Sequence, residues 1–153
     1  MDQPANLNPR IIEALYHEGL MLSDEVRAMF GMSQSSPAEA DEVIRLALSC
    51  EALRTTTRMM HAMAWLLNHR AYFMGEISEF QLRRHGRIVT RLPEAVPGRI
   101  ALLDPAVQDL IRTTERFYAR LVRLDAGWRN SQAPDAGGQA IRRLRERLGK
   151  AIG

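Results

Sequence analysis

The side chains in this sequence with the greatest capacity for chemistry are its four histidines and its one cysteine. His61 and His69 would lie about 80° apart around a helix and more than two turns apart along it, so they are poorly placed to share a metal ion. His17 and His85 lie far from both in the sequence, and no HExxH motif or cysteine cluster completes a metal site. The sequence therefore predicts no metal centre and no cofactor.

Nucleophilic catalysis would need an activated thiol or hydroxyl. Cys50 lies between Leu46 and Leu53 in a helical apolar pattern, where a buried thiol behaves as a small inert hydrophobe. The sequence has no GxSxG elbow and no glycine-rich phosphate loop. We therefore expect a protein that is not an enzyme.

The stretch LRTTTR at 53–58 places three consecutive threonines inside a helical pattern. Thr57 and Thr114 fall among the apolar positions of two predicted helices, and a threonine hydroxyl in a helix can bond the carbonyl one turn earlier. These threonines favour a buried polar layer that sets the register of the helices. A ligand site formed by the threonines with Arg54 or Arg58 is the alternative.

The elements that must position these residues are helices. The 153 residues suggest one domain, and 46% hydrophobic with only 6% aromatic residues favours helices over sheets. Asn8 and Pro9 predict the start of a first helix that ends near Gly31, and Asp104 and Pro105 predict the start of the third. Their apolar patterns are Ile12, Leu15, Gly19, Leu22, Val26 and Met29, and Val107, Leu110, Thr114, Phe117, Leu121 and Leu124.

The second helix is predicted from Pro37 to Met74, opened by a capping box at Ser36 and Glu39, with a length of roughly 57 Å. Its apolar positions alternate steps of three and four without a break, which predicts that they face the core. They are Val43, Leu46, Cys50, Leu53, Thr57, Met60, Ala64, Leu67, Ala71 and Met74.

Three helices with apolar stripes predict an all-α fold, an antiparallel three-helix bundle over residues 8–126 with one very long central helix. The connection between its second and third helices, 76–103, is unusually long for a bundle. Ser78 and Gln81 predict a short capped helix there that ends near Gly86. Residues 127–153 are expected to form a polar linker followed by a flexible, basic, amphipathic tail.

The tail carries the positive charge of the protein. Its last fifteen residues have net charge +4 against +3 for the whole chain, which leaves the remainder near −1. Such a segment could bind an acidic protein surface, anionic lipid or nucleic acid. Its candidate contact residues are Arg142, Arg143, Arg145, Arg147 and Lys150.

Two further surfaces are candidates for partner binding. Met59 and Met63 lie beside the main apolar pattern, where they either widen the core or offer an adaptable surface for a homodimer or another partner. Long connections are often functional, and the candidate contact residues in this one are Ile88 and Leu92. The start MDQPANLNPR is polar and unlike a secretory signal, and the longest apolar run is 62–67. With a single cysteine as well, we expect a cytoplasmic protein.

The segment SCEALRTTTRMMHAMAWLLNHRAYFMGEIS, residues 49–78, resembles the RcdA family, regulators of CtrA degradation in alphaproteobacteria. The resembling features are the arginine- and threonine-rich turn at 53–60, the block at 64–67, Arg70, and Gly75 with Glu76. The resemblance extends from about Ile11 to Asp125 and does not include the tail.

The resemblance implies a three-helix bundle and a non-catalytic adaptor that tethers cargo to the ClpXP protease during the cell cycle. The implied partners are a protease primed by a CpdR-like receiver protein, and cargo or secondary adaptor proteins that recruitment could bring to a cell pole. The alternative is a nucleic-acid-associated regulator that contacts phosphates through the basic tail. The sequence disfavours that alternative because residues before the tail show no basic face.

Overall fold

Every regular element in the described part of the chain is a helix. The computed structural model describes residues 7–34 and 41–151. The helices are α1 (Pro9–Gln34), α2 (Glu42–Phe73), α3 (Glu79–His85), α4 (Pro97–Ile100) and α5 (Pro105–Ala151). No strand occurs in these two ranges, so the prediction of an all-α protein is confirmed.

Polar side chains cap the helices. The Asn8 side chain accepts a hydrogen bond from the Ile11 amide at 3.0 Å, as the start of α1 predicts. Ser78 and Gln81 form the predicted capping box of α3, with Gly86 as its C-cap. Asp41 caps α2, whereas the predicted cap at Ser36, Pro37 and Glu39 lies outside the described residues.

Contacts between the long helices establish their directions. Arg70, late in α2, pairs with Glu13, early in α1, at 2.6 Å, and Gly19 of α1 lies against Met63 of α2. From the first of these contacts to the second, the residue number rises in α1 and falls in α2. The two helices are therefore antiparallel.

Helices α2 and α5 run in the same direction, because successive contacts advance together along both. Arg58 donates a hydrogen bond to Thr114, and Trp65 donates one to Asp125. The prediction of a wholly antiparallel bundle is therefore wrong for this pair. The 31 residues between α2 and α5, 74–104, are long enough to return along α2 before α5 begins. The hydrogen bonds of this connection with Glu51 and Arg54 lie along that return.

The core forms where α1, α2 and α5 meet, and the predicted apolar patterns of α1 and α5 lie within it. Ile12 is 1% exposed and Leu121 is fully buried. Gly19 lies at the closest approach, because a Cβ atom there would be 2.7 Å from the Met63 sulfur and 3.3 Å from Phe117. The absence of a side chain at Gly19 therefore permits this close helix crossing.

The apolar pattern predicted to face the core from α2 is largely exposed instead. Leu53 is 70% exposed, Met60 is 62% exposed and Met74 is 67% exposed, while Cys50 is only half-buried. The buried face of α2 is the other side of the helix, formed by Ala47, Glu51, Thr55, Arg58, Met59, Ala62, Trp65, Leu66 and His69. The prediction was wrong because α2 is apolar on two faces, and the core accepts the face with the indole of Trp65.

The predicted linker at 130–139 is helical, because α5 continues to Ala151. The boundary predicted at residue 127 therefore does not interrupt the secondary structure. No helix in the described ranges combines the length and apolarity needed to cross a membrane.

Candidate partner-binding site

Two grooves in the described surface are concave enough to hold part of a partner. The connection groove, about 630 Å³, is lined by the chain between α3 and α4, by α5 and by Arg58 of α2. The methionine groove, about 450 Å³, lies between α1 and α2. Helix α2 contributes to both.

A buried arginine forms part of the wall of the connection groove. Arg58 is only 4% exposed. Its guanidinium donates a hydrogen bond to the Thr114 hydroxyl at 3.0 Å and lies 3.5 Å from a carboxylate oxygen of Glu115. Burial lowers the pKa of Arg58, and the nearby Glu115 and Glu51 carboxylates oppose that change. The groove thus presents a cation that is already held in place.

The predicted polar layer exists, with a different threonine from α2. Thr114 is fully buried, as predicted, and its hydroxyl also donates to the Ile111 carbonyl at 2.7 Å. From α2 it is Thr55 that is fully buried, whereas Thr57 is half-buried on the opposite face. The layer joins α2 to α5 through the hydrogen bond from Arg58 to Thr114. The two interpretations of the threonines, a buried polar layer and a ligand site that includes Arg58, therefore concern the same region of the structure.

Hydrogen bonds hold the long connection over this layer. The Tyr118 hydroxyl donates to the Val89 carbonyl, and Arg54 donates to the Glu94 carbonyl. The fully buried Glu51 accepts from the Val96 amide at 3.4 Å. Burial raises the pKa of Tyr118 to about 12, against the opposing effect of Arg58, so the hydroxyl remains a donor at neutral pH.

The methionine groove has a soft apolar wall with a charged rim. Met59 is buried, Met63 is half-buried and Met60 is 62% exposed. Asp24 and Arg27 on the rim form an exposed ion pair at 2.9 Å. Methionine side chains adapt to differently shaped apolar surfaces, so this groove can accept the apolar side of a partner segment.

The predicted contact residues divide among these places. Met59 and Met63 line the methionine groove. Leu92 lines the connection groove, whereas Ile88 is 3% exposed and belongs to the core. The prediction that Ile88 offers a contact surface is not supported by its position, because the folded connection turns it inward.

The tail residues are only partly described. Arg145 and Arg147 are exposed on α5, and the apolar residues of the same segment, Ile141, Leu144 and Leu148, are 55–62% exposed. The structure does not describe the side chains of Arg142, Arg143 and Lys150.

Sequence reasoning did not identify Tyr118 or Arg123 as groove residues. Tyr118 follows Phe117 of the α5 pattern, so a search of the positions flanking that pattern could have found it. Arg123 carries no comparable signal, because an exposed arginine on a helix is usually a solvated residue.

A second buried cluster lies beyond the polar layer, around His69. His69 is fully buried, with its ring 4.1 Å from that of Trp65 and 5.3 Å from that of Trp128. Burial lowers the pKa of His69 to about 4; Asp125 opposes this shift and Arg129 adds to it. His69 is therefore neutral at pH 7, and its ring packs between those of Trp65 and Trp128.

Asp125 is the hydrogen-bonding centre of that cluster. Its carboxylate accepts from the Trp65 indole at 2.9 Å and from Arg129 at 3.0 Å. Among the side chains that the structure describes, no three or more histidine, cysteine and acidic residues are grouped so that they could hold a metal ion.

The described part of the chain is all-helical and has two grooves, both lined in part by α2. The chain belongs to the family DUF1465, which is described as 'Protein of unknown function'. The model of this family matches residues 4–152. This match includes the basic tail, which the resemblance seen in the sequence did not cover. No curated protein and no solved structure matches the chain.

Proposed function

We propose that this protein is a non-catalytic adaptor of the RcdA type that tethers cargo to a ClpXP protease. The observation that carries the proposal is the position of the resembling segment, residues 49–78. That segment contributes Arg58 to the connection groove and Met59 and Met63 to the methionine groove. It also exposes large apolar side chains such as Leu53 and Met60, and exposed apolar patches mark interaction sites.

The mechanism needs binding and proximity only. Two grooves on different sides of α2 allow one molecule to hold cargo and a protease component together, which raises the effective concentration of one near the other. The connection groove, whose lining includes Arg58 and Leu92, suits a segment that offers both an acceptor and an apolar side chain. The methionine groove suits the apolar face of a helix.

The partners that we propose are ClpX primed by a CpdR-like receiver protein, and cargo or secondary adaptors. With such partners the protein would act in the cytoplasm, and its partners would recruit it to a cell pole. The exposed Arg145 and Arg147 of the tail would add an electrostatic contact with an acidic partner surface.

The test is a pull-down from native extract at low and moderate salt with nuclease added, probed for ClpX and for the receiver protein. Full-length protein is compared with Leu92→Lys, which changes the connection groove, and Met63→Lys, which changes the methionine groove. Met21→Lys is the control, because Met21 is 67% exposed on α1 and lines neither groove.

The tail is tested with a chain that ends at Ser131. A chain that ends at Gly127 would remove Trp128, which is 6% exposed and packs on His69, and would damage the core. Circular dichroism of each variant verifies that it is folded.

We expect full-length protein and Met21→Lys to recover ClpX and the receiver protein, and at least one groove variant to lose one of them. Recovery of neither protein by the folded full-length chain would contradict the proposal. If only nucleic acid is recovered, and nuclease or salt removes it, the basic tail is a nucleic-acid contact and the adaptor proposal fails.

A further inference from the structure

The C-terminal part of α5 continues well past the core of the bundle. Among the side chains that the structure describes, Trp128 is the last buried one in this helix, at 6% exposed. The helix runs on for 23 residues to Ala151, which is roughly 35 Å. Every residue between 141 and 149 whose exposure is described is exposed. Neither groove includes a residue after Arg123, so the grooves do not explain this segment.

Three large apolar side chains stand exposed on one side of the segment. Ile141 is 60% exposed, Leu144 is 62% exposed and Leu148 is 55% exposed. At about 100° per residue, the three lie within about 60° of one another around the helix. We call these three residues the tail face. Burying apolar side chains of this size is favourable, and the described part of the chain buries none of them, so the tail face is suited to an apolar partner.

Two exposed arginines border the tail face, one on each side. Around the helix, Arg145 lies about 40° beyond Ile141. On the other side, Arg147 lies about 60° beyond Leu144. An arginine at the border of an apolar face can bury its aliphatic stem while its guanidinium stays at a polar layer. This is the arrangement of a helix that lies in the boundary between lipid headgroups and acyl chains.

The charge of the segment complements an anionic surface. The last fifteen residues have net charge +4, with Glu146 as their only acidic residue, and the rest of the chain sums to about −1. Each basic residue held near a negatively charged membrane strengthens binding about fivefold. Because the remainder of the chain is nearly neutral, the attraction to such a surface comes from the tail.

An anionic bilayer accounts for both features of the tail, whereas other anionic partners account for one. A nucleic acid would contact the arginines through its phosphates and leave the tail face in water. An acidic protein surface would pair with the same arginines, but it would also need an apolar groove between two acidic rims to cover the tail face. A bilayer with anionic lipids offers negative headgroups with acyl chains directly beneath them, at any point of its surface.

We propose that the part of α5 from Ile141 to Ala151 binds flat on an anionic lipid surface, with the tail face among the acyl chains and the arginines at the headgroups. A short apolar face gives only marginal membrane binding by itself, so the electrostatic contact is also required. Binding is therefore reversible and weakens as salt screens the charges. This inference does not depend on the adaptor function, because it rests on the exposure and charge of α5.

The first experiment measures sedimentation of the full chain with two kinds of vesicle, phosphatidylcholine alone and phosphatidylcholine mixed with phosphatidylglycerol. We expect the protein to sediment with the mixed vesicles at low salt and to stay in solution with phosphatidylcholine. Raising the salt concentration should release it. Failure to bind the mixed vesicles at low salt would overturn the proposal, and so would equal binding to both kinds of vesicle.

Two double variants separate the apolar contact from the charge. Leu144→Gln with Leu148→Gln should weaken binding to the mixed vesicles about 100-fold, because burial of each leucine contributes about tenfold. Arg145→Gln with Arg147→Gln should weaken it about 25-fold at low salt. If the leucine variant binds normally and only the arginine variant is weakened, the contact is purely electrostatic. That result would overturn the proposal and leave nucleic acid or an acidic protein as the occupant.

Each double variant has a matched control elsewhere in the chain. Leu20→Gln with Leu102→Gln changes two leucines that are 40% and 44% exposed. Arg84→Gln with Arg87→Gln removes two exposed arginines. Neither control should change binding, and circular dichroism verifies that every variant is folded. A loss in a control as large as in its tail counterpart would contradict the assignment of binding to the tail.

The second experiment tests whether the tail face enters the bilayer. After Cys50→Ser removes the only cysteine, a polarity-sensitive fluorophore (NBD) is attached to a cysteine introduced by Leu144→Cys or by Gly149→Cys. Gly149 is exposed, has open space around it, and lies about 140° around the helix from Leu144. We expect mixed vesicles to shift the emission of the label at 144 to the blue and to change the label at 149 little. An unchanged label at 144 in protein that sediments with the vesicles, or equal changes at both positions, would overturn the proposed orientation.

Discussion

Buried His69 should make the stability of this protein depend on pH between about 4 and 6.5. Its pKa in the folded chain is about 4, whereas an unfolded histidine titrates near pH 6.5. The unfolded chain therefore binds a proton more readily than the folded chain in this range. Stability is full above the unfolded pKa and falls as the pH drops toward 4.

The magnitude follows from the two pKa values. A shift of one pKa unit corresponds to about 1.4 kcal/mol, so the complete loss is about 3 kcal/mol below pH 4. Between pH 7.5 and 4.5 the loss from His69 alone is about 2–3 kcal/mol. The physical reason is desolvation in a site between Trp65 and Trp128, which the Asp125 carboxylate only partly offsets.

The assay is urea unfolding followed by far-ultraviolet circular dichroism at pH 7.5 and 4.5. The natural protein is compared with His69→Leu, which has a similar volume and no titrating group. His17→Gln is the control, since the His17 side chain is 72% exposed. Because carboxylates also titrate in this range, the informative quantity is the difference between variants. We expect His69→Leu to lose about 2–3 kcal/mol less than the natural protein, and His17→Gln to behave like the natural protein. Equal losses in the natural protein and His69→Leu would refute the reasoning.

Three further substitutions test the packing that positions the grooves, each by urea unfolding at pH 7.5. Gly19→Val should destabilise the fold by about 1–3 kcal/mol, because even one Cβ atom at this crossing would meet the Met63 sulfur at 2.7 Å; no loss would contradict the close approach. Asp125→Ala should cost about 1–3 kcal/mol by leaving the buried Trp65 indole without its acceptor, and a neutral result would show that the indole finds another acceptor. Thr114→Val should also cost about 1–3 kcal/mol, because it removes an acceptor of the buried Arg58 guanidinium; unchanged stability would mean that Glu115 suffices.

The helix starts were predictable from local chemistry. Asn8 with Pro9, Ser78 with Gln81, and Asp104 with Pro105 each mark an observed start, because capping depends on residues within one turn of each other. The buried faces of α1 and α5 were predictable for a related reason. Each of these helices has one regular apolar pattern, and that pattern faces the core.

The candidate site was only partly predictable. Met59 and Met63 were found as neighbours in sequence and share one groove. The connection groove could not be assembled beforehand, because Leu92, Arg58 and Tyr118 come together only when the connection returns along α2. Ile88 was misplaced for the same reason, since the turn of the connection decides which of its apolar side chains face inward.

The sequence by itself determined that this protein is helical, where α1 and α5 begin, and that α2 carries apolar residues on two faces. Only the tertiary structure decided which of those faces enters the core, and that α5 runs parallel to α2. The physical reason is that periodicity records how apolar a face is, whereas burial depends on which faces meet. Trp65, Leu66 and Met59 are buried in the core, and the more regular apolar pattern of α2, with Leu53 and Met60, is left on the surface.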